Sequence, residues 1–145
     1  MDKRIDPYTS SKEAMEAMLS LEKSVSRLGL EPSLLELVKL RASQINGCAY
    51  CVDLHTREAR EAGETERRLY AVSVWRETPF FTDRERAALA WTEALTLIAA
   101  THAPDADYAA LAAHFNKKEM TDLTLAIVAI NGWNRIAVGF RKMPT

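Results

Sequence analysis

Apolar residues recur along this chain in steps of three and four, and no stretch alternates for long enough to read as a strand. Ser10 and Ser11 stand as N-caps before Met15, Met18, Leu19, Val25 and Leu28, and Gly29 closes that first helix. Pro32 suits the first turn of a second helix, which runs to Asn46 and Gly47, where glycine can take the left-handed conformation that ends it. Cys48 therefore falls just past a helix end. From there Cys51, Val52, His55, Ala59 and Ala62 repeat at helical spacing, with Asp53, Arg57, Glu58, Arg60 and Glu61 largely elsewhere, until Gly63 stops a third helix.

A fourth helix is expected from Thr65, carrying Leu69, Val72 and Trp75 inward before Thr78 and Pro79 turn the chain. Thr82 with Glu85 forms a capping-box signature for a long helix through Ala100, and Phe80 and Phe81 offer a hydrophobic staple ahead of it. Beyond His102, Ala103 and Pro104 a short helix is expected near Tyr108 to His114. Asn116 with Glu119 then caps a last helix containing Leu123, Ile127, Ile130 and Ile136. The pattern predicts an all-α fold, one domain over 1–145, built as a bundle of six or seven helices.

Composition narrows the partners. A chain of 145 residues, 48% apolar, can bury a core without metal or disulfide staples. Charged residues make up 27% and nearly cancel to −1, which argues against both disorder and a polyanion-binding surface, so nucleic acid is not an expected partner. The first residues hold no apolar core of the kind a secretory signal needs, and no later stretch is apolar for long enough to span a bilayer. A cytoplasmic protein with no membrane association is the expectation. Apolar character at Trp133, Ile136, Val138 and Phe140 reaches almost to the end of the sequence, which suggests a homo-oligomer, whether dimer, trimer or hexamer.

Only two cysteines occur, three apart, which is not the spread of a secreted disulfide framework. So short a loop would constrain little unfolded-chain entropy, so the pair points to chemistry. In Cys48-x-x-Cys51-x-x-x-His55 the three-residue step brings two sulfurs within reach, and the four-residue step stacks the imidazole beside Cys51. A helix N-terminus and a neighbouring imidazolium both favour the thiolate, the nucleophilic form. The bland reading makes both cysteines small buried hydrophobes and His55 an ordinary histidine; the shared register weighs against it. Zinc would need a fourth ligand, and no second such pair supplies one. Glu36 admits two readings: a carboxylate relaying protons to the sulfurs, or one member with Lys39 and Ser43 of a solvated stripe. His102 and His114 read as loop-edge or surface residues, and Trp91 and Trp133 as core or subunit-contact residues.

The run Glu36, Ser43, Asn46, Cys48, Tyr50, Cys51, His55 resembles the alkylhydroperoxidase D-like branch of the carboxymuconolactone decarboxylase superfamily. The likeness extends to Phe81, Thr82 and Glu85 through Leu89, to His114 and Phe115, and to Asn131, Trp133, Asn134 and Arg135. It implies an all-helical, oligomeric, thiol-dependent peroxidase using no organic cofactor or metal. Cys51 would be oxidised to sulfenic acid, Cys48 would donate a proton and then form the disulfide, and Glu36 and His55 would relay protons. Members of this branch often carry a second histidine where this chain has Tyr50, which implies a shorter relay or one routed through water. Expected partners are a peroxide and a dithiol reductant such as a lipoyl-bearing protein or a peroxiredoxin. The alternatives are a small lactone-acid decarboxylase, as in the sister branch, and a redox-sensing module without turnover.

Overall fold

A computed structural model describes residues 1–145 as nine α-helices and one 3-10 segment, with no strand. The helices are α1 (Pro7–Ser10), α2 (Lys12–Val25), α3 (Pro32–Asn46), α4 (Ala49–Glu61), α5 (Glu66–Ala71), α6 (Asp83–Thr96), α7 (Ile98–Thr101), α8 (Asp105–His114) and α9 (Lys117–Gly139). The 3-10 segment is Val72–Glu77, directly after α5. Seven of the helices are six residues or longer, as the apolar spacing predicts; α1 and α7 are single turns.

The sequence signals sit where they act. Pro32 opens α3, and Gly47 closes it at φ +66°, a left-handed conformation that costs glycine little. Both capping boxes form: Thr82 with Glu85 starts α6, and Asn116 with Glu119 starts α9. Each satisfies two backbone N–H groups that a helix end leaves without partners.

Three elements depart from the sequence reading. The single turn α1 is capped by the Asp6 carboxylate, which accepts from the Tyr8 N–H, and the chain enters α2 from there. The expected fourth helix tightens at Val72, and Val74 leaves helical geometry at φ −124°. Arg86 of α6 accounts for the tightening, because its guanidinium donates to the carbonyls of Trp75, Arg76 and Thr78 and holds that turn against α6. The long helix from Thr82 ends at Thr96 and not at Ala100: Leu97 turns out of register, and the Thr101 hydroxyl donates to the Ala94 carbonyl, which helical continuation would have given to Ile98.

α3 is the axis of the bundle and packs on α4, α6 and α9. Leu34, Leu35 and Val38 enter a core shared with Val25, Trp91, Leu111, Leu123 and Ile127. Leu37 and Leu40 enter a second core with Leu69, Val72, Trp75, Phe81 and Leu89. A helix apolar on two sides is one buried on two sides. Each fully buried leucine contributes about 1.5–3 kcal/mol of hydrophobic stabilisation, so α3 is fixed before its polar residues are considered.

Candidate active site

Gly47 turns the chain within one residue, so that Cys48 becomes the N-cap of α4. The Cys48 and Gly47 N–H groups donate back to the Ser43 and Gln44 carbonyls, closing α3 as α4 begins. Cys48 Sγ accepts from the Cys51 N–H at 3.3 Å, and the two cysteines are joined as a disulfide with Cα atoms 5.3 Å apart. Both are nearly closed to solvent, Cys48 at 1% exposed and Cys51 at 3%, and they pack against Ala137 of α9 and the half-buried Tyr50.

One turn beyond Cys51, His55 is buried and its Nδ1 lies 3.1 Å from Glu36 Oε2 and 3.5 Å from Glu58 Oε2. Glu36 therefore faces the α4 helix, and the stripe it shares with Lys39 and Ser43 is not solvated. Lys39 and Ser43 are both buried, because α4 and α9 cover this side of α3. The Lys39 ammonium lies 3.9 Å from Glu36 and 3.0 Å from Glu22 of α2, and Glu22 in turn accepts from the Trp133 indole N–H. A chain of charged and polar groups thus runs His55, Glu36, Lys39, Glu22, Trp133. Lys39 and Glu22 carry no motif signature; the one available clue was a lysine inside an otherwise apolar helical run.

The other motif residues form a second polar link. Asn46 Nδ2 donates to Oδ1 of both Asn131 and Asn134, each at 2.9 Å, and Asn134 Nδ2 donates to Ser43 Oγ at 3.0 Å. These buried and half-buried amides pin the C-terminal end of α3, and with it the Gly47 turn, to the middle of α9. None of their buried side-chain atoms lacks a hydrogen-bond partner.

Beside Cys51 lies a cavity of about 620 Å³, lined mainly by apolar side chains that include Leu19, Leu54, Trp133, Ile136 and Phe140, with His55 and Glu58 on its polar side. Met1, the residues Lys3 to Tyr8 and the C-terminal Arg141 to Met143 form its other walls. Trp133, Ile136 and Phe140, which the sequence suggested as a surface for association, thus turn toward this cavity, while Val138 remains exposed. Trp91 is a core residue, with its indole N–H on Thr124, and His102 and His114 are exposed as expected. Tyr50 stands where a second relay histidine would be, and Lys142 covers its ring at 4.4 Å. The metal-capable donor atoms that cluster, within 4.8 Å of one another, are those of Glu36, His55 and Glu58. No helix is long and apolar enough to cross a membrane.

Residues 12–94 match the carboxymuconolactone decarboxylase family. The uncharacterized protein YdfG of Bacillus subtilis is 40% identical over 138 residues, which cover 95% of this chain and 94% of YdfG. Among solved structures, a protein of unknown function from Agrobacterium tumefaciens, ATU0492, for which an antioxidant defence role of the AhpD type has been suggested, superposes with a TM-score of 0.97. It is 49% identical, over 99% of each chain. An uncharacterized peroxidase-related protein from Silicibacter sp. TM1040 shares the fold with a TM-score of 0.83 at 23% identity, over 95% of this chain and 73% of its own.

Proposed function

The chain belongs to the carboxymuconolactone decarboxylase family, with an AhpD-like fold, and from that premise we propose that it is a thiol-dependent peroxidase cycling between dithiol and disulfide. One observation carries the reading: Cys51 and His55 lie side by side on an apolar cavity, with Cys48 already bonded to Cys51 from behind.

The proposed cycle starts from the reduced pair. Glu36 holds Nδ1 of His55, which leaves Nε2 to exchange the proton of the Cys51 thiol. The Cys51 thiolate attacks the terminal oxygen of a hydroperoxide; the O–O bond breaks, the sulfur is oxidised to sulfenic acid, and the departing alkoxide takes up the proton and leaves as alcohol. Cys48 then attacks the Cys51 sulfur. The S–S bond forms, the sulfenic oxygen leaves as hydroxide, and the proton given up by Cys48 converts it to water. A dithiol donor reduces the disulfide by exchange and is itself oxidised to a disulfide. Neither metal nor organic cofactor enters the proposed cycle.

The cavity also bears on the substrate. An apolar lining of this size accommodates an alkyl or aryl hydroperoxide and gives hydrogen peroxide little to hold, so kcat/KM for cumene hydroperoxide is expected to exceed that for hydrogen peroxide. The deciding experiment treats reduced protein with one equivalent of hydroperoxide and weighs it: loss of two hydrogens, mapped to the Cys48–Cys51 peptide, is the expected result. Sustained peroxide consumption with dithiothreitol must follow. Stoichiometric oxidation without turnover would replace the peroxidase with a redox-sensing module, and loss of neither hydrogen would remove the dithiol from the chemistry. Association into a homo-oligomer belongs to the same proposal; Leu125, Val128 and Val138 are exposed along α9, and sedimentation equilibrium gives the mass.

A further inference from the structure

The two sulfurs open onto different surfaces. Cys51 lines the cavity, and Cys48 does not. Cys48 instead forms the floor of a separate, more open groove between the end of α3 and the start of α4, bounded by Gln44, Gly47, Ala49, Val52, Asp53 and Thr56. The groove is lined by small residues, Ser43, Ala49, Val52 and Thr56 among them, whereas leucine, isoleucine and aromatic side chains form much of the cavity.

Resting on the peroxidase reading, we propose that oxidant and reductant reach the site from opposite sides: hydroperoxide enters the cavity to Cys51, and a small dithiol enters the open groove and attacks Cys48. In-line displacement at a disulfide requires the attacking thiolate to approach one sulfur opposite the other, and which sulfur can be approached decides which one leaves. Attack on Cys48 Sγ forms a bond from the donor sulfur to Cys48, breaks the Cys48–Cys51 bond and releases Cys51 as thiolate beside His55. The second thiol of the donor then attacks its own sulfur in the mixed disulfide, closing the donor disulfide and releasing the Cys48 thiolate. The electron pair passes from donor to protein, and the sulfur set free first is the one the cavity presents to the next peroxide. Substrate can therefore occupy the cavity while reduction proceeds. The more open groove admits the dithiol arm of a donor, and the large apolar side chains of the cavity suit the alkyl group of a hydroperoxide.

The test traps the attacked sulfur. The disulfide is prepared with diamide, so that peroxide reactivity plays no part, then mixed with the monothiol 2-mercaptoethanol, quenched in acid within the first seconds, alkylated and mapped by mass spectrometry. The adduct is expected on Cys48 with the alkyl label on Cys51; the adduct on Cys51 overturns the proposal, and equal adducts on both overturn it too. As a second measurement, Ala49→Trp at the exposed groove rim is expected to slow reduction of the disulfide by dithiothreitol at least tenfold while the rate of oxidation by cumene hydroperoxide stays at the parent value. An unchanged reduction rate in a folded Ala49→Trp protein rejects the groove as the entry. Failure of peroxide turnover would instead strike the peroxidase reading and leave the trapping result standing.

Discussion

Glu31 and Glu36 lie on the same helix of this protein and meet cations in opposite surroundings. Glu31, at the N-cap of α3, is half exposed and forms an ion pair with Arg84 of α6 at 2.9 Å; Arg84 also reaches Glu119 of α9 and the His114 carbonyl, and lies over the Phe115 ring. Glu36, one turn further in, is largely buried between His55 and Lys39. The outer cluster ties four helices together, α3, α6, α8 and α9, and its charges remain in contact with water. The inner one trades hydration for fixed direction: each group can interact only with the neighbour the fold gives it. The same acid–base vocabulary thus gives modest stabilisation at one end of α3 and a fixed set of contacts at its middle, the ones the proposed relay would use, and burial makes the difference.

Four substitutions sharpen or break that contrast, in descending order of effect. Cys51→Ser removes the sulfur the relay serves and is expected to abolish hydroperoxide turnover, a loss of at least about 10³-fold, read in a steady-state assay with dithiothreitol. Lys39→Met leaves the half-buried Glu22 and Glu36 carboxylates without the buried cation they share, and is expected to cost on the order of 3 kcal/mol in urea unfolding. A variant as stable as the parent would show that Lys39 does not hold that pair. Glu36→Gln keeps the size and removes the charge beside His55, for an expected loss of about 10²-fold in kcat with the melting temperature little changed. Glu31→Gln, its outer counterpart, should leave kcat untouched, and equal losses in the two variants would erase the distinction drawn between them.

Arg84→Gln gives the smallest effect and the one with a pH signature. Hydrogen bonds from Arg84 hold the Glu31 and Glu119 carboxyls below the ordinary carboxylate range, against the smaller opposing pull of desolvation. A carboxyl whose folded value is depressed stabilises the fold above the unfolded value of about 4.3, and that contribution is lost as pH falls through the folded values. These side chains are part exposed, so the cluster contributes about 1 kcal/mol, or roughly 3 °C in melting temperature. The parent should melt higher than Arg84→Gln at pH 7, and the two melting curves should converge below about pH 4. A gap that persists in acid would assign the role of Arg84 to its packing on Phe115.

The order of the helices and the pairing of Cys48, Cys51 and His55 were legible because they rest on local rules: apolar spacing, caps, a glycine stop and the step from one helical turn to the next. What escaped was set by neighbours distant in sequence. Val74 leaves its helix because Arg86 of α6 takes the carbonyls of Trp75, Arg76 and Thr78, and a pattern read along the chain cannot show that contact. Glu36 could be read as relay or as solvated surface because its spacing fits both; the cover supplied by α4 and α9 removes the solvated reading. Trp133 read as core or contact because its partner, Glu22, lies on α2 at the far end of the sequence. Ser43 and Asn46 belonged to the motif without an evident task until α9 supplied Asn131 and Asn134.

The turn at Gly47 sets a rule for anyone who would redesign this protein. Between the last residue of α3 and the first of α4 stand only Gly47 and Cys48. Adding or deleting one residue there would rotate everything downstream by about 100° around the α4 axis, the angular step of an α-helix, swinging His55 away from Glu36 while every helix kept its sequence. Loops elsewhere can lengthen over evolutionary time with little consequence; at this joint the length of the chain is itself part of the site.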